Sequence, residues 1–455
     1  MSIESLVALN FPLELLDRIF AYLPLSDRKT ASLVCRAWNE LAFNRYLSNV
    51  VLNVTFDRQL VMRKYSSMVL RQYRHVSFSH CNYDMLIDFL DMFGTYLETF
   101  HSRGCLIEEQ LSKVITRTPN LRHIAVNLTD SMRTDPGLIF PAVDHLTQLS
   151  AHFDNCSGAA EWVKLLRQLA PQLTHLELTA TNNVIPIEEL RFPKVEVLKL
   201  GGHVCVTWDS KLQKFFSSFK LLKDVKLEFN ISQAVLDVLT GGNPGIEMLH
   251  FSYDVLYPDS LRLLSRLKQL RALSFFGSND FRISPECPPL PSVKRLCLEI
   301  YSLNSKTSVF RSFRQLLPNV IDMSVKMGAL SRPECILEPV CSGFTLLERL
   351  TISSSSLEID SNVLFDALRH LDRLEDLTFR CTETTQEFMP PNKKLKRLKF
   401  ESCHWLTDDC LPVLLEMCSS LKYLELKSCR GITSKAWEKI KVHCRVVNCI
   451  IPGVD

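Results

Sequence analysis

Two tracts near the end of the chain share one unusual spacing of apolar residues. SSLKYLELKSC sets Leu421, Leu424, Leu426 and Cys429 in the order L-x-x-L-x-L-x-x-C, and KKLKRLKFESC repeats it with Leu395, Leu398, Phe400 and Cys403. With the apolar identities relaxed, the spacing recurs upstream, starting at Leu374, Leu347, Val320, Val293, Leu270, Ile246, Leu222, Val195, Leu173, Leu146, Leu121, Leu97, Tyr73 and Leu47. The 15 steps across the 374 residues from Leu47 to Leu421 average about 25, and single steps run from 21 to 27. No such period can bury its apolar face alone, so successive periods must stack on one another.

The x-L-x-L core of each period alternates and predicts a short strand with one buried face. The first apolar residue and the ninth-position residue are expected to turn inward at the strand's flanks. Cys81, Cys105, Thr181, Asn230, Ser355, Cys403 and Cys429 hold that ninth place. Helical spacing fills the gaps: DCLPVLLEMCSS lines up Leu411, Leu414, Leu415 and Cys418, and EWVKLLRQLAP lines up Trp162, Leu165, Leu166 and Leu169. Prolines at 119, 171 and 318 mark returns from helix to strand. Stretches around Pro136, Pro288 and Pro390 read as loops, and HCRVVNCIIPGVD reads as a terminal cap. Period and pattern resemble leucine-rich repeats. The fold class expected is an α/β repeat solenoid, a leucine-rich-repeat horseshoe of about 15 repeats over residues 49–455, strands on its concave side and helices outside.

Residues 8–48 fall outside the repeat and predict a small all-α module. FPLELLDRIFAYL carries Leu15, Leu16, Ile19, Phe20 and Leu23 as a helical stripe, with Pro12 suited to a helix start. Leu25-Ser26-Asp27 makes a break. RKTASLVCRAWNELA then continues with Ala31, Val34, Cys35, Trp38 and Leu41 at helical spacing. Two or three short helices cannot enclose a large core, so part of their apolar surface is left for a partner.

This segment resembles an F-box, whose pattern runs L-P-x-E-[IL]-L, then I-F, a leucine, an acid, and V-C-x-x-W. Pro12, Glu14, Leu15, Leu16, Ile19, Phe20, Leu23, Asp27, Val34, Cys35 and Trp38 stand in register with it. Phe11 replaces the opening leucine, and Arg28-Lys29 replaces an apolar pair. The resemblance implies a non-catalytic adaptor: F-box proteins bind the Skp adaptor, which docks on a cullin–RING scaffold, while the repeats hold a substrate for ubiquitination. By that resemblance Pro12, Leu15, Leu16, Ile19, Leu23, Val34 and Trp38 contact the adaptor or pack behind the contact.

On the repeat strands, residues alternating with the buried ones line the concave face. The first half places His75, His101, His123, His152 and His175 there, with Arg103, Asn127 and Glu177. The last strands place Arg380, Arg397, Lys399, Tyr423, Glu425 and Lys427 there, the candidate substrate contacts, since Arg and aromatic residues anchor interfaces. The basic run from Lys393 to Lys399 points to an acidic or phosphorylated ligand. Any exposed strand face must also be polar, and a solvated face is the commoner origin of such a run.

A net charge of +3 over 455 residues makes no case for nucleic acid or a membrane surface. The N-terminus, interrupted by Glu4, Glu14 and Asp17, lacks a secretory pattern, so the sixteen cysteines read as thiols of a cytoplasmic or nuclear protein. No two cysteines are spaced as C-x-x-C, and no phosphate-cradling, zinc-protease or serine-hydrolase motif occurs, so no metal or cofactor is expected. Three readings stay open: a substrate receptor of a Skp–cullin–F-box ubiquitin ligase, an F-box scaffold acting outside the ligase, and a repeat-type binding or inhibitor protein.

Overall fold

A computed structural model describes residues 13–44, 51–55, 73–79, 83–129, 140–141, 143–154, 159–181, 187–202, 209–252, 258–277, 283–284, 286–302, 308–330, 334–354, 358–359, 361–380, 383–384, 393–433, 435–436 and 445–450. Its contacts divide the chain into two units, Met1–Thr207 and Trp208–Asp455.

The first unit opens with three helices, α1 (Leu13–Tyr22), α2 (Leu25–Ala31) and α3 (Arg36–Asn44). Seven parallel strands follow: β1 (Val51–Thr55), β2 (His75–Ser79), β3 (Thr99–Leu106), β4 (His123–Leu128), β5 (Gln148–Phe153), β6 (His175–Ala180) and β7 (Val197–Gly202). Each pairs with its neighbour in sequence, so the sheet order is the chain order. Helices at Tyr83–Phe93, Glu108–Arg117 and Ala159–Leu169 fill the longer returns.

In the second unit the ladder runs through β8 (Asp224–Asn230), β9 (Met248–Ser252), β10 (Ala272–Gly277), β11 (Arg295–Ser302), β12 (Asp322–Leu330) and β13 (Arg349–Ser354). It continues through β15 (Asp376–Arg380), β17 (Arg397–Glu401), β18 (Tyr423–Lys427) and β19 (Arg445–Ile450), all parallel. Two short strands, β14 (Glu358–Ile359) and β16 (Glu383–Thr384), pair separately. Both units are leucine-rich-repeat solenoids. Within the segment read as a terminal cap, Arg445–Ile450 form a further strand, β19, paired with β18.

The coil at residues 395–403 shows why the spacing dictates this. Leu395, Leu398, Phe400 and Cys403 are buried, and Arg397, Lys399 and Glu401 alternate with them on the outward face. Phe400 stacks on Phe379 of the preceding coil at 5.4 Å, so the apolar face of each strand is closed by its neighbours. The outer helices do the same: Trp162, Leu165, Leu166 and Leu169 are all buried. A carbonyl just ahead of each strand accepts two N–H groups of the next coil, as Glu98 does from Arg122 at 2.8 Å and His123 at 3.0 Å. Backbone polarity is thereby satisfied at the turn, where no ladder partner exists.

The ninth-position expectation holds in part. Cys403 and Cys429 turn inward, their thiols directed at the carbonyls of Phe379 (3.6 Å) and Phe400 (3.7 Å). Ser402 and Ser428, each at φ 56°, make the preceding turn. Cys105, Thr181 and Asn230 are exposed instead. At Cys105 and Asn230 the reason is local: β3 and β8 run on past the expected end through an irregularity that sets three residue steps against one on the next strand, so the inward turn is not made there. Cys81 and Ser355, with the loops around Pro136 and Pro390, lie outside the described residues.

Candidate functional site

The three-helix segment carries two apolar stripes rather than one. At about 100° per residue, Leu15, Ile19 and Tyr22 fall within an arc of about 60° on α1, and Leu16, Phe20 and Leu23 within an adjoining arc of similar width. The second stripe closes the segment. Leu16 and Phe20 are buried, and Phe20 meets Trp38 of α3 with ring centroids 5.3 Å apart. The Cys35 sulfur accepts the Trp38 backbone N–H at 3.5 Å, so it serves as the N-terminal cap of α3 and fixes where the indole enters. That is a physical reason for the C-x-x-W spacing.

The first stripe stays open. Leu15 and Ile19 are each 46% exposed and Tyr22 is 89% exposed. The turn before α3 adds Leu33 at 86% and Val34 at 49%. Small folded proteins seldom leave several large apolar side chains this bare on one short segment.

Arg28 shows how the segment departs from an apolar pair and still closes. Its side chain is buried, and Nε donates to the Leu23 carbonyl at 2.9 Å, at the end of α1. Its aliphatic stem supplies apolar surface, while the guanidinium meets an otherwise orphaned carbonyl. Lys29 points to solvent.

Of the adaptor contacts expected from sequence, Leu15, Ile19 and Val34 are exposed, Leu23 and Trp38 are half-buried, and Leu16 is buried. Pro12 lies outside the described residues. Tyr22 and Leu33 were not singled out from sequence. Tyr22 sits seven residues after Leu15, and that spacing was the available signal.

The strand register brings the candidate substrate contacts into one array on the second unit. Arg397 lies opposite Tyr423, Lys399 opposite Glu425, and Arg380 opposite Glu401, which faces Lys427. Glu401 is reached by Lys427 at 2.5 Å, Arg380 at 3.3 Å and Lys399 at 3.9 Å. Lys399 also pairs with Glu425 at 2.8 Å, and the Arg397 guanidinium stands over the Tyr423 ring at 5.0 Å. The hydrogen bond from Lys427 holds the Glu401 carboxyl below its usual range.

On the first unit, the histidines occupy one polar sheet face. His75 and His152 bond Thr99 (2.8 Å) and Thr179 (2.7 Å) through Nδ1, and the His101 and His123 rings meet edge to face at 4.9 Å. Burial, reinforced by His101 and His175, pulls the His123 pKa down to about 4. Burial, then His75, lowers that of His101. Among the described residues no group of three or more His, Cys, Asp or Glu could hold a metal ion.

A family model described as F-box-like matches residues 9–49. Similar solved structures include a chain from the yeast Rad7 and Elc1 complex, at 14% identity, covering 96% of this chain and 93% of that one with a TM-score of 0.37. A chain of a TLR13–ssRNA13 complex matches at 14% identity over 83% of this chain and 58% of that one, TM-score 0.42. An internalin from Listeria monocytogenes matches at 17% identity over 74% and 78%, TM-score 0.32. The repeat assignment rests on register and burial within this chain, not on those loose superpositions. What the chain joins is an F-box-like segment and stacked leucine-rich coils.

Proposed function

We propose that this chain is a substrate-recruiting subunit of a Skp–cullin–F-box ubiquitin ligase. Its F-box-like helices dock on the Skp adaptor, and its repeat units hold a protein for ubiquitination by the cullin–RING scaffold. The observation that carries this reading is the bare apolar stripe of Leu15, Ile19 and Tyr22, beside Leu33 and Val34, within the segment that matches the F-box-like family. Aliphatic anchors entering a desolvated groove contribute about 2 kcal/mol each, roughly thirtyfold in affinity. Trp38 and Leu16 work behind that surface by holding its helices together.

Co-purification of the full chain tests this. The unaltered chain captures both a Skp-type adaptor and a cullin, and the double variant Leu15→Asp with Ile19→Asp captures neither. Adaptor capture that survives the double variant overturns the assignment of this stripe. Adaptor capture without any cullin favours the scaffold acting outside a ligase, and capture of neither by the unaltered chain favours a free-standing binding protein.

A further inference from the structure

The second unit carries a row of alternating charge that crosses five neighbouring strands. Arg295 on β11, Asp322 on β12, Arg349 on β13, Asp376 on β15 and Arg397 on β17 are direct register partners, one after the next. Asp322 alone anchors two of these arginines. The same oxygen, Oδ2, accepts from Arg295 Nε at 3.3 Å and from Arg349 Nε at 3.1 Å.

Contact through Nε leaves the far edge of each guanidinium unused. The terminal nitrogens of Arg295 and Arg349 have no hydrogen-bond or ion-pair partner among the described residues. Arg397 lies over the Tyr423 ring, a contact made with the flat of the guanidinium that leaves its N–H edge open. Three guanidinium edges are therefore held in place without a hydrogen-bonded acceptor, and Asp376 acts on those of Arg349 and Arg397 through space only. Their side chains remain largely in solvent, Arg295 at 61% and Arg349 at 46%, while Asp322 beneath them is 23% exposed.

Geometry sets what can occupy all three. Arg295, Arg349 and Arg397 stand two strands apart, about 9.6 Å at the usual strand spacing. An extended polyproline II chain returns to the same side every three residues, about 9.3 Å along its axis. Side chains at positions 1, 4 and 7 of such a chain match the three arginines. The residues between turn away from the sheet, so only one of three contiguous acids can reach the row while three spaced ones all do.

We infer that this row binds an extended acidic segment of a partner protein, one carrying a carboxylate at every third residue and neutral or basic residues between. The inference rests on the reading of the repeat units as the substrate-holding part, and it names the chemistry of what they hold.

Fluorescence anisotropy on the full chain, at fixed ionic strength, tests it with three labelled synthetic peptides of equal length. One has Glu at positions 1, 4 and 7 in a proline–glutamine background. The second has the same composition with the three Glu contiguous, and the third has one central phosphoserine and no Glu. The spaced peptide is expected to bind at least tenfold more tightly than the contiguous one. Arg349→Gln, which keeps a hydrogen-bonding amide but no charge, is expected to weaken it by about tenfold or more. Arg349→Lys, which keeps the charge but not the fork, is expected to restore binding only in part. An unchanged unfolding temperature in both variants separates lost recognition from lost folding. Equal affinity for both spacings, binding of the phosphoserine peptide alone, or no binding of any peptide overturns the inference. Adaptor capture is read on the same samples: if it fails while the spaced peptide still binds, the ligase reading falls and the peptide site stands.

Discussion

Phe20 and Trp38 meet edge to face, their ring centroids 5.3 Å apart and their planes at 74°. This contact ties α1 to α3 and makes Trp38 a support for the open stripe rather than a part of it. Trp38→Ala should therefore loosen the whole segment, by about 2–3 kcal/mol for a half-buried aromatic. Leu15→Ala with Ile19→Ala should leave local stability within about 1 kcal/mol, since both side chains already stand half in water. Amide hydrogen exchange across residues 13–44 distinguishes the two. Equal acceleration in both variants would refute the division of the two stripes.

Arg28→Ala should also raise exchange at the α1–α2 junction. It strands the part-buried Leu23 carbonyl without its donor, a loss of about 1 kcal/mol. Lys29→Ala, one residue along and exposed, is the control and should change nothing measurable.

Acid should weaken the first unit. His123 titrates at about 4 in the fold against 6.5 in the free side chain, held down first by burial and then by His101 and His175, with Glu177 opposing. His101 is lowered in the same sense, by burial and then His75. Between about pH 6.5 and 4 the unfolded chain takes up protons that the folded one refuses, so stability is full above pH 6.5 and falls as pH drops through that window. Thermal unfolding followed from pH 7.5 to 4 should show a falling midpoint, and His123→Asn should flatten that fall. An unaltered slope in the variant would remove the histidine row as its cause.

Thiol chemistry should sort the cysteines by position in the coil. Burial pushes the Cys341 thiol up to about 12 and that of Cys418 to about 11. Hydrogen bonding to Cys403, then burial, raises that of Cys429. Iodoacetamide should modify exposed Cys105 in the native protein and spare these until denaturant is added, as site-resolved mass spectrometry would reveal. Early alkylation of Cys403 or Cys429 would mean that the inward turn at the strand end is not closed.

The repeat was legible because its signal is covalent spacing. Leu398, Phe400 and Cys403 declare a buried strand and its turn within six residues, whatever lies around them. The irregularities in β3 and β8 were not legible, since a strand that runs on reads like one that stops. Within the F-box-like segment, the apolar residues of α1 were visible but their division was not. Adjoining stripes on one helix look alike until the position of α3 is known. The arginine row was legible in part. Arg295, Asp322, Arg349, Asp376 and Arg397 all hold the third place of their repeats, so their alignment follows from the spacing. What the spacing does not give is that Asp322 takes both arginines through Nε and leaves their outer edges open.

Within either unit every main strand is bonded only to those adjacent in the chain. A stack of this kind has no keystone. Adding or deleting one entire coil would shift later coils along without asking any of them to find new neighbours. Lineages could thus lengthen or shorten the ladder within a unit in single-coil increments, each adding or removing one strand's worth of polar sheet face.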